Sequence, residues 1–238
     1  MTTLFDLQQV TVRYGQVHAL QSIALEVLQG QRLALIGANG SGKSTLLRVL
    51  NGLLDRELTG QIVVQKTVQQ AMLFQRPYML RMTVQNNVAL GLWIKGIAWG
   101  QAKSLALQAL DRVGLQAQAA RPAKALSMGQ QQRVAFARAL AQKPNVLLLD
   151  EPTASMDPHA KREVEALMQD FATSKNEELM TLIFASHNLG QVKRLATHVA
   201  YLEQGKLMVY LPVDDFFNAE KLRSISPEAD AFLKGETA

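Results

Sequence analysis

Apolar and polar residues alternate from Leu4 to Tyr14, where Val10, Val12 and Tyr14 fall on one face. They alternate again from Val17 to Val27, through Ile23, Leu25 and Val27. A period of two marks a strand with one buried face, so both segments are predicted as strands, joined by a turn at Gly15-Gln16. Three other runs are apolar without alternation: Leu33–Ile36, Val146–Leu149 with Asp150 at its end, and Leu179–Ala185. Continuous apolar runs of this length suit parallel strands covered on both faces. Gln61–Gln65 and Val68–Phe74 are predicted as short strands after a turn at Thr59-Gly60. Val199–Leu202 and Lys206–Tyr210 form a predicted hairpin around Glu203-Gln204-Gly205.

Helical spacing takes over elsewhere. Leu46–Leu50 is predicted as a helix that stops at Asn51-Gly52. Tyr78–Leu126 is a helical mixture interrupted at Gly96 and Gly100. Within it, Gln101–Val113 places Ala102, Leu105, Ala109 and Val113 near one face before Gly114. Ser127 opens the next helix, and with Gln130 it makes the S-x-x-Q pattern of a capping box. Asp157-Pro158 starts another, whose buried face carries Val164, Leu167, Met168 and Phe171. Leu189–Ala196 is a further helix, and the tail reads as a short helix plus solvated residues. The expected organisation is one α/β domain over 4–235. Its β-rich and core segments span 4–76, a helical lobe is inserted over about 77–143, and the core resumes over 144–235.

Composition narrows the chemistry. The chain has 238 residues and 48% hydrophobic content, enough for a sizeable core in one domain. It has no cysteine, which excludes disulfides, zinc–thiolate sites and thiol catalysis. A formal charge of +5 suits a protein that handles polyphosphates or lies near anionic lipid. The charge is too small and too scattered to argue for nucleic acid, and no nucleic-acid partner is expected. No apolar run approaches the roughly 18–20 residues of a spanning helix. The start, MTTLFDLQQV, lacks a basic segment followed by a long apolar block, so no signal peptide is expected. A soluble cytoplasmic protein follows, with any membrane work done through other chains.

The chain is organised around GANGSGKST, Gly37 to Thr45, which fits the phosphate-binding pattern G-x-x-x-x-G-K-[ST]. It lies between a buried strand and a helix, the context the motif requires. Gly37, Gly40 and Gly42 let the backbone curl, so that N–H groups of this stretch, with Ala38, Asn39, Ser41 and Thr45, converge on phosphate oxygens. The helix N-terminus adds partial positive charge. Lys43 supplies a point charge for the outer phosphates and Ser44 a hydroxyl for Mg²⁺. Asp150 and Glu151 end a hydrophobic strand. In a parallel sheet that end can lie beside Ser44, where Asp150 would hold Mg²⁺ directly or through water and Glu151 would polarise the attacking water. By themselves Tyr14 reads as a half-buried strand aromatic, His187 as a satisfied strand-end histidine, and Ser127 as a helix cap.

These motifs together resemble the nucleotide-binding subunit of an ATP-binding cassette (ABC) transporter. Besides the phosphate loop, Gln75 matches the family's Q-loop glutamine and LSMGQQQR (Leu126–Arg133) its LSGGQ signature. LLLDEP matches the Walker B strand and SMD (Ser155–Asp157) the D-loop. His187 matches the switch histidine and Tyr14 the aromatic that stacks on adenine. The matches keep the family's order and span nearly the whole chain. The resemblance implies a P-loop NTPase fold with a RecA-like parallel-sheet core, an antiparallel β subdomain and an inserted helical subdomain. It also implies that two copies pair head to tail around two ATP molecules. Lys43, Gln75, Glu151 and His187 would act on the γ-phosphate, and Ser44, Gln75 and Asp150 would hold Mg²⁺. Ser127, Gly129 and Gln130 would bind the nucleotide of the other copy. Three departures stand out: Met128 replaces the first signature glycine, Ser155 and Met156 replace the usual alanine and leucine, and Asn188 replaces the aspartate after His187.

The function implied is an ATPase subunit of an importer, a peripheral protein at the cytoplasmic face of the membrane. Its partners would be integral membrane permease subunits and, indirectly, a solute-binding protein. QRPYMLRMTVQNNVALGL and SHNLGQVKRLA resemble most the branch that serves oxyanions such as tungstate, molybdate or phosphate, with polar amino-acid importers close behind. An exporter subunit or a soluble ABC protein are the alternatives. Against the soluble readings stand the short stretch between Gln75 and Leu126, which leaves no room for a long coiled coil, the single cassette, and the lack of cysteine.

Overall fold

The computed structural model describes residues 2–54, 58–154, 156–173 and 180–235. Among them the strands are β1 (Thr3–Tyr14), β2 (Val17–Leu28), β3 (Arg32–Ile36), β4 (Leu58–Val64), β5 (Gln70–Leu73), β6 (Val146–Asp150), β7 (Thr181–Ala185), β8 (His198–Glu203) and β9 (Lys206–Pro212). The helices that position the site are α1 (Lys43–Leu50), α2 (Val84–Ile94), α3 (Trp99–Arg112), α4 (Met128–Leu140), α5 (Pro158–Thr173) and α6 (Leu189–Leu195).

Two sheets form. One is antiparallel, in the order β2-β1-β4. The other runs β5-β6-β7-β3-β8-β9 and is parallel except for β9. The unalternating runs occupy the centre of this second sheet, and the pleat sorts them onto two cores. Ala34, Ile36, Leu147, Leu149, Leu182 and Phe184 face a core shared with α2 to α6. Leu33, Leu35, Val146, Leu148, Ile183 and Ala185 face a second core, shared with α1 and the antiparallel sheet. Both faces are dry, which is why these strands show no polar alternation in the sequence.

Some expectations need correction. Thr59 and Gly60 are not a turn; they lie inside β4. Gly60 sits against the carbonyls of Gln8 and Gln9, where a Cβ would overlap the backbone. Gln9 is itself left-handed (φ 52°), and the register shifts between Gln8 and Thr11. The glycine answers a bulge in the neighbouring strand and not a reversal of its own. Helix α3 begins at Trp99 and keeps Gly100 in its first turn. Leu179, placed in a strand by the sequence, lies outside the described residues, and β7 starts at Thr181. The tail is more ordered than expected. It forms α7 (Val213–Phe216), α8 (Ala219–Ile225) and α9 (Pro227–Lys234). Phe216, Leu222 and Ala229 are buried, and the Phe232 ring lies 5.1 Å from that of Tyr201.

Phe184 is fully buried in the central strand β7. Phe184→Ala is expected to lower unfolding free energy by about 3–5 kcal/mol, read from the midpoint of chemical denaturation.

Candidate functional site

The site lies at the carboxyl ends of β3, β7 and β6. Residues 37–42 leave β3 and feed directly into α1. Gly37, Gly40 and Gly42 have φ of 142°, 80° and 107°, a region that side chains rarely enter. Two of these glycines are also forced by space. A Cβ on Gly37 would overlap the carbonyl oxygen of Leu202, and one on Gly42 would lie 2.7 Å from that of Ala19. Gly42, the N-cap of α1, offers no side-chain cap. The first N–H groups of that helix therefore remain free for an anion. Ser41 Oγ is buried with no partner among the described residues. Lys43 is buried, and its ammonium donates to the carbonyls of Gly37 and Ala38, both at 2.9 Å. Uncapped donors, a glycine cradle and a buried lysine fit a nucleotide's phosphates.

Asp150 does not sit on a strand beside β3, since β7 intervenes. The row across the sheet reads Leu35, Ala185, Asp150. Alanine in the middle leaves room for α1 above it, and Ser44 Oγ donates to Asp150 Oδ1 at 2.8 Å across that gap. Hydroxyl and carboxylate form a hard-oxygen pair suited to Mg²⁺ completed by phosphate oxygens and water. Burial pushes the Asp150 carboxyl above its ordinary range, against the pull of the Ser44 hydroxyl and of Arg48 and Lys43. Burial likewise lowers Lys43, while Glu151 and Asp150 oppose the shift. A buried carboxylate raised by desolvation is one that a divalent cation would relieve.

Glu151 follows at once, in the left-handed region (φ 46°). That backbone turns its carboxylate between two groups. His187 Nε2 approaches Oε1 at 2.6 Å, and Gln75 Nε2 donates to Oε2 at 3.2 Å. Gln75 stands just past β5 and His187 just past β7, on either side of β6. The structure therefore brings Lys43, Ser44, Gln75, Asp150, Glu151 and His187 to one sheet edge. A carboxylate so held can accept a proton from water, with an imidazole and an amide fixing its direction.

The signature residues lie elsewhere. Ser127 Oγ accepts from Gln130 N at 3.3 Å, and Gln130 Oε1 accepts from Ser127 N at 3.1 Å, a complete capping box. The box leaves the N–H groups of Met128 and Gly129 without intrahelical acceptors. Gly129 also has a packing reason, since a Cβ there would lie 2.9 Å from Ala160 Cβ on α5. Met128 is half exposed beside it. Tyr14 is partly exposed at the end of β1. Of the D-loop, Ser155 lies outside the described residues, and Asp157 caps α5, accepting from His159 N and Ala160 N.

Sequence reasoning missed the buried polar residues behind His187. Thr153, Ser186 and Gln191 are 8%, 4% and 0% exposed and are hydrogen-bonded to one another. The available signal was Gln191 itself, a polar residue three positions after a capping asparagine and next to Val192 on the helix's buried side. Sequence pattern likewise gives no role to Arg138 of α4. It donates to the carbonyl of Tyr78 and to Asn87 Oδ1, which ties α4 to the segment after Gln75.

Residues 20–154 match the family model described as ABC transporter. The glutamine transport ATP-binding protein GlnQ of Escherichia coli strain K12 is 36% identical, over 86% of this chain and 89% of that protein. The methionine import ATP-binding protein MetN of Chromohalobacter salexigens is 36% identical, over 98% of this chain and 72% of that protein. The dimeric ATP-binding cassette MJ0796, in a post-hydrolysis state bound to ADP and Pi, aligns with a TM-score of 0.78 at 25% identity, covering 88% of this chain and 99% of that one. This chain belongs to the ABC transporter family. Its activity is ATP hydrolysis coupled to transport, with Mg²⁺ as the nucleotide's partner ion.

The raised Asp150 carboxyl carries a sign. The folded chain holds that proton more tightly than the unfolded chain, so stability is lost as pH rises through the raised value. Asp150→Asn is expected to raise the melting temperature of the nucleotide-free protein at pH 7, with the gain shrinking as pH falls into the carboxylate range. The same variant is expected to lose the added stabilisation given by Mg²⁺ with ATP. Differential scanning fluorimetry across pH, with and without Mg²⁺ and ATP, reads both effects.

Proposed function

We propose that this chain is the ATPase subunit of an importer, bound peripherally to separate membrane subunits and working as a head-to-tail pair. The observation that carries the reading is the cluster of Gln75, Glu151 and His187 beside the Ser44–Asp150 pair. Such a cluster stands where a terminal phosphate and an attacking water would meet it. Among the described residues, no helix is long and apolar enough to cross a membrane.

In the proposed reaction the loop Gly37–Thr45 cradles the phosphates with its N–H groups, Lys43 fixes the outer pair, and Tyr14 supports the base. Ser44 and Asp150, with Gln75, would hold Mg²⁺, which would supply charge neutralisation at the phosphates. Glu151 orients the water and accepts its proton. His187 holds Glu151 and faces the γ-phosphate. Ser127 and Gly129, with the helix N-terminus braced by Gln130, close over the γ-phosphate held by the other copy. Their side-chain bonds within this chain are local to α4, and their role lies in that pairing. The dimeric cassette among the structural relatives supports the pairing.

The solute is where the sequence resemblance needs revision. The relatives named above carry glutamine and methionine, not oxyanions. Import of an amino acid, the second choice on sequence patterns alone, is therefore the better reading.

Glu151→Gln is expected to cut ATP hydrolysis by about 10²–10⁴-fold, the usual contribution of a general base, while nucleotide binding persists. Phosphate release and fluorescent-nucleotide binding measure the two. Unchanged turnover would remove Glu151 from the mechanism. For the solute, the chain is expected to co-purify with a permease whose binding protein takes amino acids. Calorimetry of that binding protein against an amino-acid panel and against tungstate, molybdate and phosphate decides between the two classes.

A further inference from the structure

His187 lies on an exposed turn, yet its imidazole must stay within hydrogen-bond reach of Glu151, on a different strand. Three side chains beneath it account for that. Ser186 Oγ accepts from Asn188 N at 3.0 Å, which closes the turn that carries His187. The same hydroxyl donates to Gln191 Oε1 at 2.6 Å. Gln191 Nε2 then donates to Thr153 Oγ1 at 3.2 Å, two residues beyond Glu151. Gln191 is itself fixed, because its N–H donates to Asn188 Oδ1, the cap of α6. Thr153 and Ser186 also line the open cavity of about 520 Å³ onto which Glu151 and His187 face.

We propose that Gln191 is a positioning residue: its buried amide cross-links the turn bearing His187 to the strand exit bearing Glu151, and so sets the distance between them. The geometry asks for one acceptor and one donor at the end of the side chain. Oε1 faces a hydroxyl that has already accepted a bond and must donate onward, while Nε2 faces a hydroxyl that can accept. Gln191 is fully buried and does not reach that cavity, so water cannot take the place of its amide without a new void. A misplacement of about 1 Å at a reacting centre can cost on the order of 10²-fold in rate, although Gln191 touches neither nucleotide nor water. This inference rests on the roles proposed above for Glu151 and His187.

The test measures steady-state ATP turnover of the full chain and its variants, with thermal melts alongside. Gln191→Leu is expected to lower kcat by about 10–10²-fold and leave KM for ATP in place, since the phosphate loop is untouched. Gln191→Glu is expected to recover most of the loss. A carboxyl in this dry site stays neutral and offers the same donor and acceptor. In a His187→Ala background, Gln191→Leu is expected to add no further loss, because it acts through His187. Wild-type-like turnover in Gln191→Leu, failure of Gln191→Glu to restore it, or losses that multiply in the double variant would each overturn the proposal. If Gln191→Leu does not fold, Thr153→Val cuts only the far end of the link. A smaller drop in kcat at constant KM supports the proposal, and no drop overturns it. Absence of turnover in the wild-type chain would instead overturn the functional reading itself.

Discussion

Leu35, Ala185 and Asp150 stand in one row across three parallel strands, and the register of that row sets the place of Ser44, Asp150, Glu151 and His187, the groups proposed to act on the nucleotide. β6 and β7 end on that row and β3 one residue past it, so the segments that leave them emerge side by side. From β3 comes the phosphate loop, from β7 the turn with His187, and from β6 the Asp150–Glu151 pair. A slip by one residue in any strand would turn its side chains to the opposite face and separate Ser44 from Asp150. Two dry cores hold the register, because alternate residues of the same strands pack into different hydrophobic clusters. Catalytic geometry here is a consequence of side-chain burial far from the chemistry.

The sheet edge works against folding as well as for function. Lys43 and Asp150 are both buried, and burial disfavours the charged form of each. They oppose one another's shifts only in part. Glu151 adds a left-handed backbone that costs a non-glycine residue about 1–3 kcal/mol. Such strain concentrates where a chain must present charge in a fixed direction. The uninterrupted apolar strands beneath supply the stability that offsets it.

Much of this was legible in the sequence, for physical reasons. A phosphate loop needs glycines at set places, and a strand covered on both faces has no polar positions. Gly37–Thr45, Val146–Asp150 and the Ser127–Gln130 capping box were therefore readable. Strand order was not, because periodicity says which face is buried but not which strand is the neighbour. The insertion of β7 between β3 and β6 is a property of the folded sheet alone. Gly60 misled because a glycine that meets a bulge looks, in one dimension, like a glycine that makes a turn. The link joins Ser186 and Gln191 to Thr153, 38 residues before Gln191, and polar side chains carry no period that would reveal their partner.

The lysine-laced curl after β3 has one more consequence. Lys43 bonds to the carbonyls of Gly37 and Ala38, and backbone packing against Leu202 and Ala19 leaves Gly37 and Gly42 no slack. The entropy of shaping that mould is lost when the chain folds. An arriving nucleotide meets a rigid receptor and orders little backbone on capture.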